Sequence, residues 1–215
     1  MTLAHNTNLL NQLHKKNNTS FEHSIRVAYL SLLIGIEMNL TSEELQELKI
    51  SGLYHDIGKL HISNRLLDKE ETLTEDEYEQ MKNHTIIGCG ILPDIEENDK
   101  IKEAALLHHE RLDGSGYPLG ITNIPLFPRI IAVADTFDAM TNQRPYNRPT
   151  DDLLALMELR KKAKLRVDID GTKHQLYDPD IVECFIKAYV KEFVTNKTNY
   201  IDEEYMVLRK KRKDN

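Results

Sequence analysis

Cysteine is scarce in this chain. Cys89 and Cys184 are far apart and neither belongs to a CxxC pair, which excludes a disulfide framework and a thiolate zinc site. Both are expected to be buried, inert thiols. Long apolar runs are also missing: none approaches the roughly 18 residues of a membrane span. The polar start MTLAHNTNLL lacks the charged and apolar regions of a signal peptide, so the expected setting is the cytoplasm. Positive charge is in deficit, with a net charge of -7, and a general nucleic-acid binder, which needs a basic face, is disfavoured. The exception is the RKKRK run, Arg209 to Lys213, expected to be a solvated terminus. With no internal repeat and no low-complexity linker, the 215 residues are expected to form one domain.

What the chain does have is helical periodicity. Apolar residues recur at three and four spacing, and no segment alternates over more than a few positions. Ser20 is expected to cap a helix whose apolar face carries Phe21, Ile25, Ala28, Leu32 and Ile36. Thr41 with Glu44, and Thr74 with Glu77, fit the capping box. A further helix is expected from about Lys100 to Glu110, ending before LDGSGYPLG, where glycines and a proline force irregular backbone. RIIAVADTFDAM resumes a helix after Pro125 and Pro128, and Pro145 and Pro149 mark a break. Thr150 is expected to cap a segment with Leu153, Leu154 and Met157, and DPDIVECFIKAYV opens another helix with acidic residues at its start. Leu165 to Tyr177 is ambiguous and reads as loop. The expected fold is an all-α bundle with one glycine-rich loop.

The stretch SGLYHDIGKLHIS sets an imidazole and a carboxylate, His55 and Asp56, side by side in an apolar setting. Burying either group is costly unless it is paired or bound to metal. His23, His84, the pair His108 and His109, and Asp135 stand in comparable surroundings. Taken singly, each reads as an ordinary hydrogen-bonded core residue. Gathered together they would make a two-metal site, with nitrogen and oxygen donors that suit first-row divalent metals. A carboxylate can bridge two ions, and Asp56 is the natural bridge. Two ions roughly 3.5–4 Å apart can generate hydroxide and clamp the oxygens of an in-line phosphoryl displacement. Lys59 follows His55 by one helical turn and would tolerate such cations only with an anion, such as a phosphate, between them. Asp138, one turn after Asp135, is expected to support a ligand. His5, His14, His61 and His174 are left as ordinary residues.

These motifs resemble the HD-GYP domain, the cyclic-di-GMP phosphodiesterase branch of the HD metallohydrolase superfamily. HDIGK is similar to its HD motif and HHERLDGSGYP to its signature segment, with HSIRV, MKNHTIIG, RIIAVADTFDAMT and RPYN in family order. The resemblance implies an HD-domain helical bundle over residues 18–194, a helical extension at 1–17 and a basic-tailed extension at 195–215. It implies that His23, His55, Asp56 and Asp135 hold one metal and that Asp56 bridges to a second held by His84, His108 and His109. The expected ions are iron or manganese, with nickel, cobalt or zinc as alternatives. Lys59 corresponds to the catalytic lysine, expected to contact the scissile phosphate or help protonate the leaving oxygen, with Asp56 also catalytic. Asp113, Gly114, Gly116, Tyr117 and Pro118 correspond to the name-giving loop. Tyr117 is expected to contact substrate or the loop to dock a diguanylate cyclase or regulator, and Arg144 corresponds to a phosphate- or guanine-binding position.

Two departures matter. Thr19 stands where three-metal members carry a carboxylate, so two metals are expected, and Asn147 stands where a basic residue often follows RPY. The implied reaction opens cyclic-di-GMP to pGpG, with slow or no further cleavage to GMP. The rivals are another cyclic dinucleotide, such as cyclic GMP-AMP, and a non-catalytic cyclic-di-GMP receptor or scaffold. No sensory or receiver segment is recognised before Phe21, so control is expected from expression, a partner or an oligomer such as a homodimer.

Overall fold

Several helices in this chain start where a side chain satisfies an orphan backbone donor. In the computed structural model, which describes residues 3–93, 99–142, 149–193 and 195, helix α1 spans Leu3–Lys16 and α2 spans Asn18–Glu37. The cap of α2 is Asn17, not Ser20: Asn17 has the extended backbone a cap requires, and its Oδ1 accepts from Ser20 N at 2.8 Å. Ser20 lies inside the first turn. Both expected capping boxes are present, Thr41 with Glu44 opening α3 (Ser42–Tyr54) and Thr74 with Glu77 opening α5 (Glu75–Lys82), after the single turn α4 (Asn64–Leu67).

Helix α6 (His84–Ile91) follows, then α7 (Asp99–Leu107), which stops short of the expected Glu110 because Glu110 N donates to Leu107 O in a tighter turn. Helix α8 (Leu126–Thr141) carries Pro128 in its first turn, where a missing N–H breaks no intrahelical bond. Helix α9 (Asp152–Ala163) is capped by Asp151, which accepts from Leu153 N, rather than by Thr150. Residues 179–193 form the final described helix, and Asp178 Oδ1 accepts from Asp180 N at its start. The ambiguous segment is not all loop: β1 (Arg166–Val167) pairs antiparallel with β2 (Lys173–His174). The all-α class stands.

Two apolar faces are rotated from expectation. On α2, Ile25 and Ile36 point outward, 45% and 59% exposed, while His23, Ser24, Val27, Leu30, Ser31 and Ile34 are buried. The buried face has admitted polar residues because it carries part of a polar centre. On α9, Leu153, Leu154 and Met157 are exposed, and Ala155, Leu156 and Leu159 face the core. Cys89 and Cys184 are half-buried rather than buried.

Helix α8 is the central element, with Ile130, Ile131, Ala132, Val133 and Ala134 buried in succession. A helix apolar all round belongs in the middle of a fold. One core gathers α2, α8, α9 and the final helix around Phe137 and Phe185, whose rings meet edge to face at 4.9 Å. A second gathers Leu13 of α1, Tyr54, Ile57, Ile101 and Ala105. Among the described residues no helix is long and apolar enough to cross a membrane. Arg144, Asn147 and the Arg209 to Lys213 run lie outside the described residues, as does the side chain of His5.

Candidate metal centre

The buried imidazoles and carboxylates come from the ends and middles of separate helices. His23 lies on α2, His84 begins α6, His108 and His109 follow the last turn of α7, and Asp135 lies midway along α8. His55 and Asp56 are not on an apolar helix, as expected, but at its end: α3 stops at Tyr54, and the chain turns into a 3-10 helix over Ile57–His61. That turn is set by Gly58. A Cβ there would lie 1.9 Å from His84 O, so only glycine lets the 3-10 turn press against the start of α6 and bring Asp56 beside His84.

The side chains meet around Asp56, which is 1% exposed. His84 Nε2 lies 3.2 Å and His108 Nε2 3.9 Å from Asp56 Oδ1, while His23 Nε2 and His55 Nε2 each lie 3.4 Å from Oδ2. Asp135 spans the centre, with His23 Nε2 3.1 Å from one oxygen and His109 Nδ1 4.0 Å from the other. Asp56, His84, His108 and His109 offer ligand atoms within 4.8 Å of one another, and so do His23, His55 and Asp56. Asp56 belongs to both groups, one carboxylate oxygen toward each.

The second nitrogen of each ring decides what the first can do. His55 Nδ1 lies 2.7 Å from Gly52 O, His84 Nδ1 2.7 Å from Met81 O, and His108 Nδ1 2.9 Å from Ala104 O. A carbonyl only accepts, so each Nδ1 is the donor, and in the neutral ring Nε2 is a bare lone pair. His84 Nε2 and His108 Nε2 therefore face each other across 3.4 Å as two acceptors. Two acceptors at that distance repel unless a cation lies between them. His23 Nε2, His55 Nε2 and Asp56 Oδ1 are buried without a hydrogen-bond partner. Unsatisfied buried acceptors of this kind are costly, and the nitrogen and oxygen donor set fits divalent first-row metals.

Electrostatics agree for three of the rings, whereas at His55 burial is outweighed by the Asp56 carboxylate, which pushes the imidazole above its ordinary range. Burial holds His84 below the ordinary imidazole range and His108 and His109 well below it, which keeps these rings neutral and able to ligate. Burial opposes ionisation of Asp56, but the Lys59 ammonium and the His55 ring outweigh it and hold the carboxyl well below its usual range. Asp135 is likewise held down by His23 and His109 against its burial. Asp138, buried on α8, receives His23 Nδ1 at 2.6 Å, Arg26 Nε at 2.6 Å and Asn142 Nδ2 at 2.9 Å. It orients the His23 ring so that Nε2 points at Asp56 and Asp135.

A cavity of about 450 Å³ opens over this cluster, with His23, Lys59, His84, His109 and Tyr117 on its wall. Lys59 does not sit one α-helical turn above His55, as expected. The 3-10 geometry puts its Nζ 2.5 Å from Asp56 Oδ2, three residues back. Tyr117 stacks on His109, with ring centroids 4.6 Å apart and planes 27° apart. Gly116 makes this contact feasible, because a Cβ there would lie 2.5 Å from His109 O. Asp113 accepts from Ser115 N and Gln175 N, Gly114 takes a φ of 78°, and the Tyr117–Pro118 peptide is cis. Of the expected residues, Arg144 lies outside the described residues, and the others gather here or in the adjoining loop.

Sequence reasoning missed Glu110. Its carboxylate, 2% exposed, accepts from Leu119 N at 2.7 Å, Gly120 N at 3.1 Å and Ile121 N at 3.1 Å, closing the glycine loop on itself. An acid beside two histidines at the mouth of a loop was the available signal. Arg26 and Tyr78 were missed too, since each looks like an ordinary helix-surface residue in the sequence.

Comparison with known proteins agrees with this geometry. A family model described as an HD domain matches residues 7–171. The chain is 40% identical over 186 residues to a cyclic di-GMP phosphodiesterase of Thermotoga maritima, covering 83% of this chain and 47% of that protein. It is 41% identical over 140 residues to 3'3'-cGAMP-specific phosphodiesterase 1 of Vibrio cholerae, covering 64% of this chain and 32% of the relative. The chain thus spans less than half the length of these relatives. Among solved structures, the HDGYP-type protein Bd1817 of Bdellovibrio bacteriovorus superposes with a TM-score of 0.59 at 18% identity, over 77% of this chain and 50% of that one. The HD domain of the L. monocytogenes phosphodiesterase PgpH, solved with cyclic-di-AMP, gives a TM-score of 0.57 at 18% identity, over 84% of this chain and 94% of that one. At that identity the structural likeness speaks for the helical fold. With most of its length matched by one family and the family's HD pair at the centre of its buried cluster, the chain belongs to the HD domain family.

Proposed function

We propose that the chain is a metal-dependent phosphodiesterase that opens cyclic-di-GMP to linear pGpG. The observation that carries this reading is the convergence of imidazole lone pairs on both oxygens of Asp56 beneath a cavity with Lys59 on its wall. His23, His55, Asp56 and Asp135 would hold one ion, and Asp56, His84, His108 and His109 a second, with iron or manganese the expected metals. Two divalent cations there would lower the pKa of water and offset charge on the phosphate oxygens.

The chain's own residues supply the rest. The carbonyl-bonded Nδ1 atoms of His55, His84 and His108 fix ring orientation before any ligand arrives. Lys59 Nζ, paired with Asp56, neutralises charge that develops on the scissile phosphate and holds a proton within reach of the leaving oxygen. Tyr117, packed on His109, forms the substrate-facing side of the loop. Arg144 is proposed as a phosphate or guanine contact, and the loop from Asp113 to Pro118 as a surface for a diguanylate cyclase or regulator. The names of relatives that act on cyclic di-GMP support the substrate class, and those specific for cGAMP support the mixed dinucleotide as the second reading. A cytoplasmic setting fits both.

The test is turnover of a cyclic-di-GMP, 3'3'-cGAMP and cyclic-di-AMP panel by protein loaded anaerobically with iron or manganese, with His55→Ala as control. Cleavage of cyclic-di-GMP to pGpG by the wild type and its loss in the variant are expected. Intact cyclic-di-GMP after verified metal loading overturns the proposal.

A further inference from the structure

The metal cluster and Lys59 account for part of the cavity wall. The wall also includes Asp68, Glu71, Thr72, Leu73 and Tyr78, from the segment between α4 and α5 and the first turn of α5. This wall is anchored from behind: Asp68 Oδ1 accepts from Asn17 Nδ2 at 2.8 Å, and Lys69 Nζ donates to Glu77 Oε2 at 2.5 Å. Glu71, in contrast, makes no hydrogen bond or ion pair with any described residue. Glu71 is exposed, and a carboxylate with no partner among the described residues repels phosphates unless it faces a donor-rich part of the ligand. On the same cavity wall, Tyr78 is 46% exposed and stands 6.2 Å from the Tyr117 ring at 80°. Tyr117 is already stacked on His109, whereas Tyr78, with Lys82 Nζ 5.3 Å from its ring centroid, keeps nearly half of its surface exposed.

We propose that Tyr78 and Glu71 form a guanine subsite, Tyr78 stacking on the base and Glu71 accepting from its N1–H and N2–H, an inference that rests on the phosphodiesterase reading above. A carboxylate has two acceptor oxygens side by side, which match the adjacent donors on guanine's Watson–Crick edge in a charge-assisted pair. Adenine presents one amino donor beside the N1 lone pair, which a carboxylate repels. Stacking on tyrosine is indifferent to base identity because every base has a π-face. The two residues therefore divide the work: Tyr78 contributes affinity and Glu71 contributes selectivity for guanine over adenine.

The test is calorimetric binding of pGpG and of pApA to manganese-loaded wild type, Glu71→Gln, Tyr78→Ala and Tyr78→Phe, each checked for metal content and helical circular dichroism. Wild type is expected to prefer pGpG by about tenfold or more, and Glu71→Gln to remove that preference by weakening pGpG while pApA is unchanged. Tyr78→Ala should weaken both ligands by about tenfold and Tyr78→Phe should bind like wild type. Equal binding of pGpG and pApA by wild type, a preference that survives Glu71→Gln, or unchanged affinities in Tyr78→Ala would each overturn the subsite. Failure of the catalytic reading is separate, because it appears as absent turnover of cyclic dinucleotides while these binding differences persist.

Discussion

His84 Nε2 and His108 Nε2 face each other across 3.4 Å, each ring having already given its Nδ1–H to a carbonyl of its own segment. Neither nitrogen can donate to the other while the rings are neutral, and burial holds both pKa values down. The pair offers two lone pairs that a cation would satisfy, and the neighbouring Asp56 Oδ1 is buried without a hydrogen-bond partner.

Metal removal should therefore destabilise the fold as well as stop turnover. A site whose free energy of occupancy is part of the folding free energy loses that stabilisation on chelation. Wild type treated with chelator is expected to melt at lower temperature than the manganese-loaded protein, and His55→Ala to show a smaller difference. Differential scanning fluorimetry with verified metal content measures it, and an unchanged melting curve would count against the coupling.

Asp138 touches no bridging position but receives His23 Nδ1 and two nitrogens of Arg26. Asp138→Ala frees the His23 ring to rotate and leaves Arg26 without its partner. The expected loss is about 10–100-fold in metal affinity, read by competition with a chromogenic chelator, with the helical spectrum retained.

Glu110 satisfies three successive loop N–H groups from a nearly buried position. Glu110→Ala leaves these donors without that partner and should cost about 1–3 kcal/mol. The same variant should raise KM for the cyclic dinucleotide, because Tyr117 N and Gly116 are held against His109 and Glu110 by the closed loop. A denaturant titration and a KM against kcat comparison separate the stability effect from the effect on the site.

Glu77 is held down to about 2 from an ordinary value of 4.5, first by its bond from Lys69 and then by the Thr74 backbone at the start of α5. A carboxylate with a depressed folded-state pKa stabilises fully above its unfolded value and loses that contribution as pH falls through the folded one. The melting-temperature difference between wild type and Glu77→Gln should thus be constant from about pH 5 to 8 and shrink as pH drops from about 4.5 toward about 2. A difference that grows on acidification would contradict the assignment.

The capping boxes at Thr41 and Thr74 were legible because their signal is local, a hydroxyl and a carboxylate three residues apart. The caps of α2 and α9 were misassigned by three residues and one residue, since Asn17 and Ser20, or Thr150 and Asp151, are equally good acceptors in sequence. The faces of α2 and α9 were misread for a different reason. Hydrophobicity alone favours Ile25 and Leu153 over His23 and Ala155, but burial follows what the neighbouring helices need at each position.

The helical class, the separate sources of the buried imidazoles and the special status of His55 and Asp56 follow from residue type and spacing, because each depends on chemistry carried by short stretches. Which oxygen of Asp56 meets which ring depends on how α3, α6 and α7 approach one another, and that approach is permitted by the missing side chain at Gly58. The closure of the loop by Glu110, the 3-10 turn that aims Lys59 at Asp56 and the place of Glu71 on the cavity wall are likewise properties of packing. They arise between segments far apart in the chain, where linear spacing carries no record of distance.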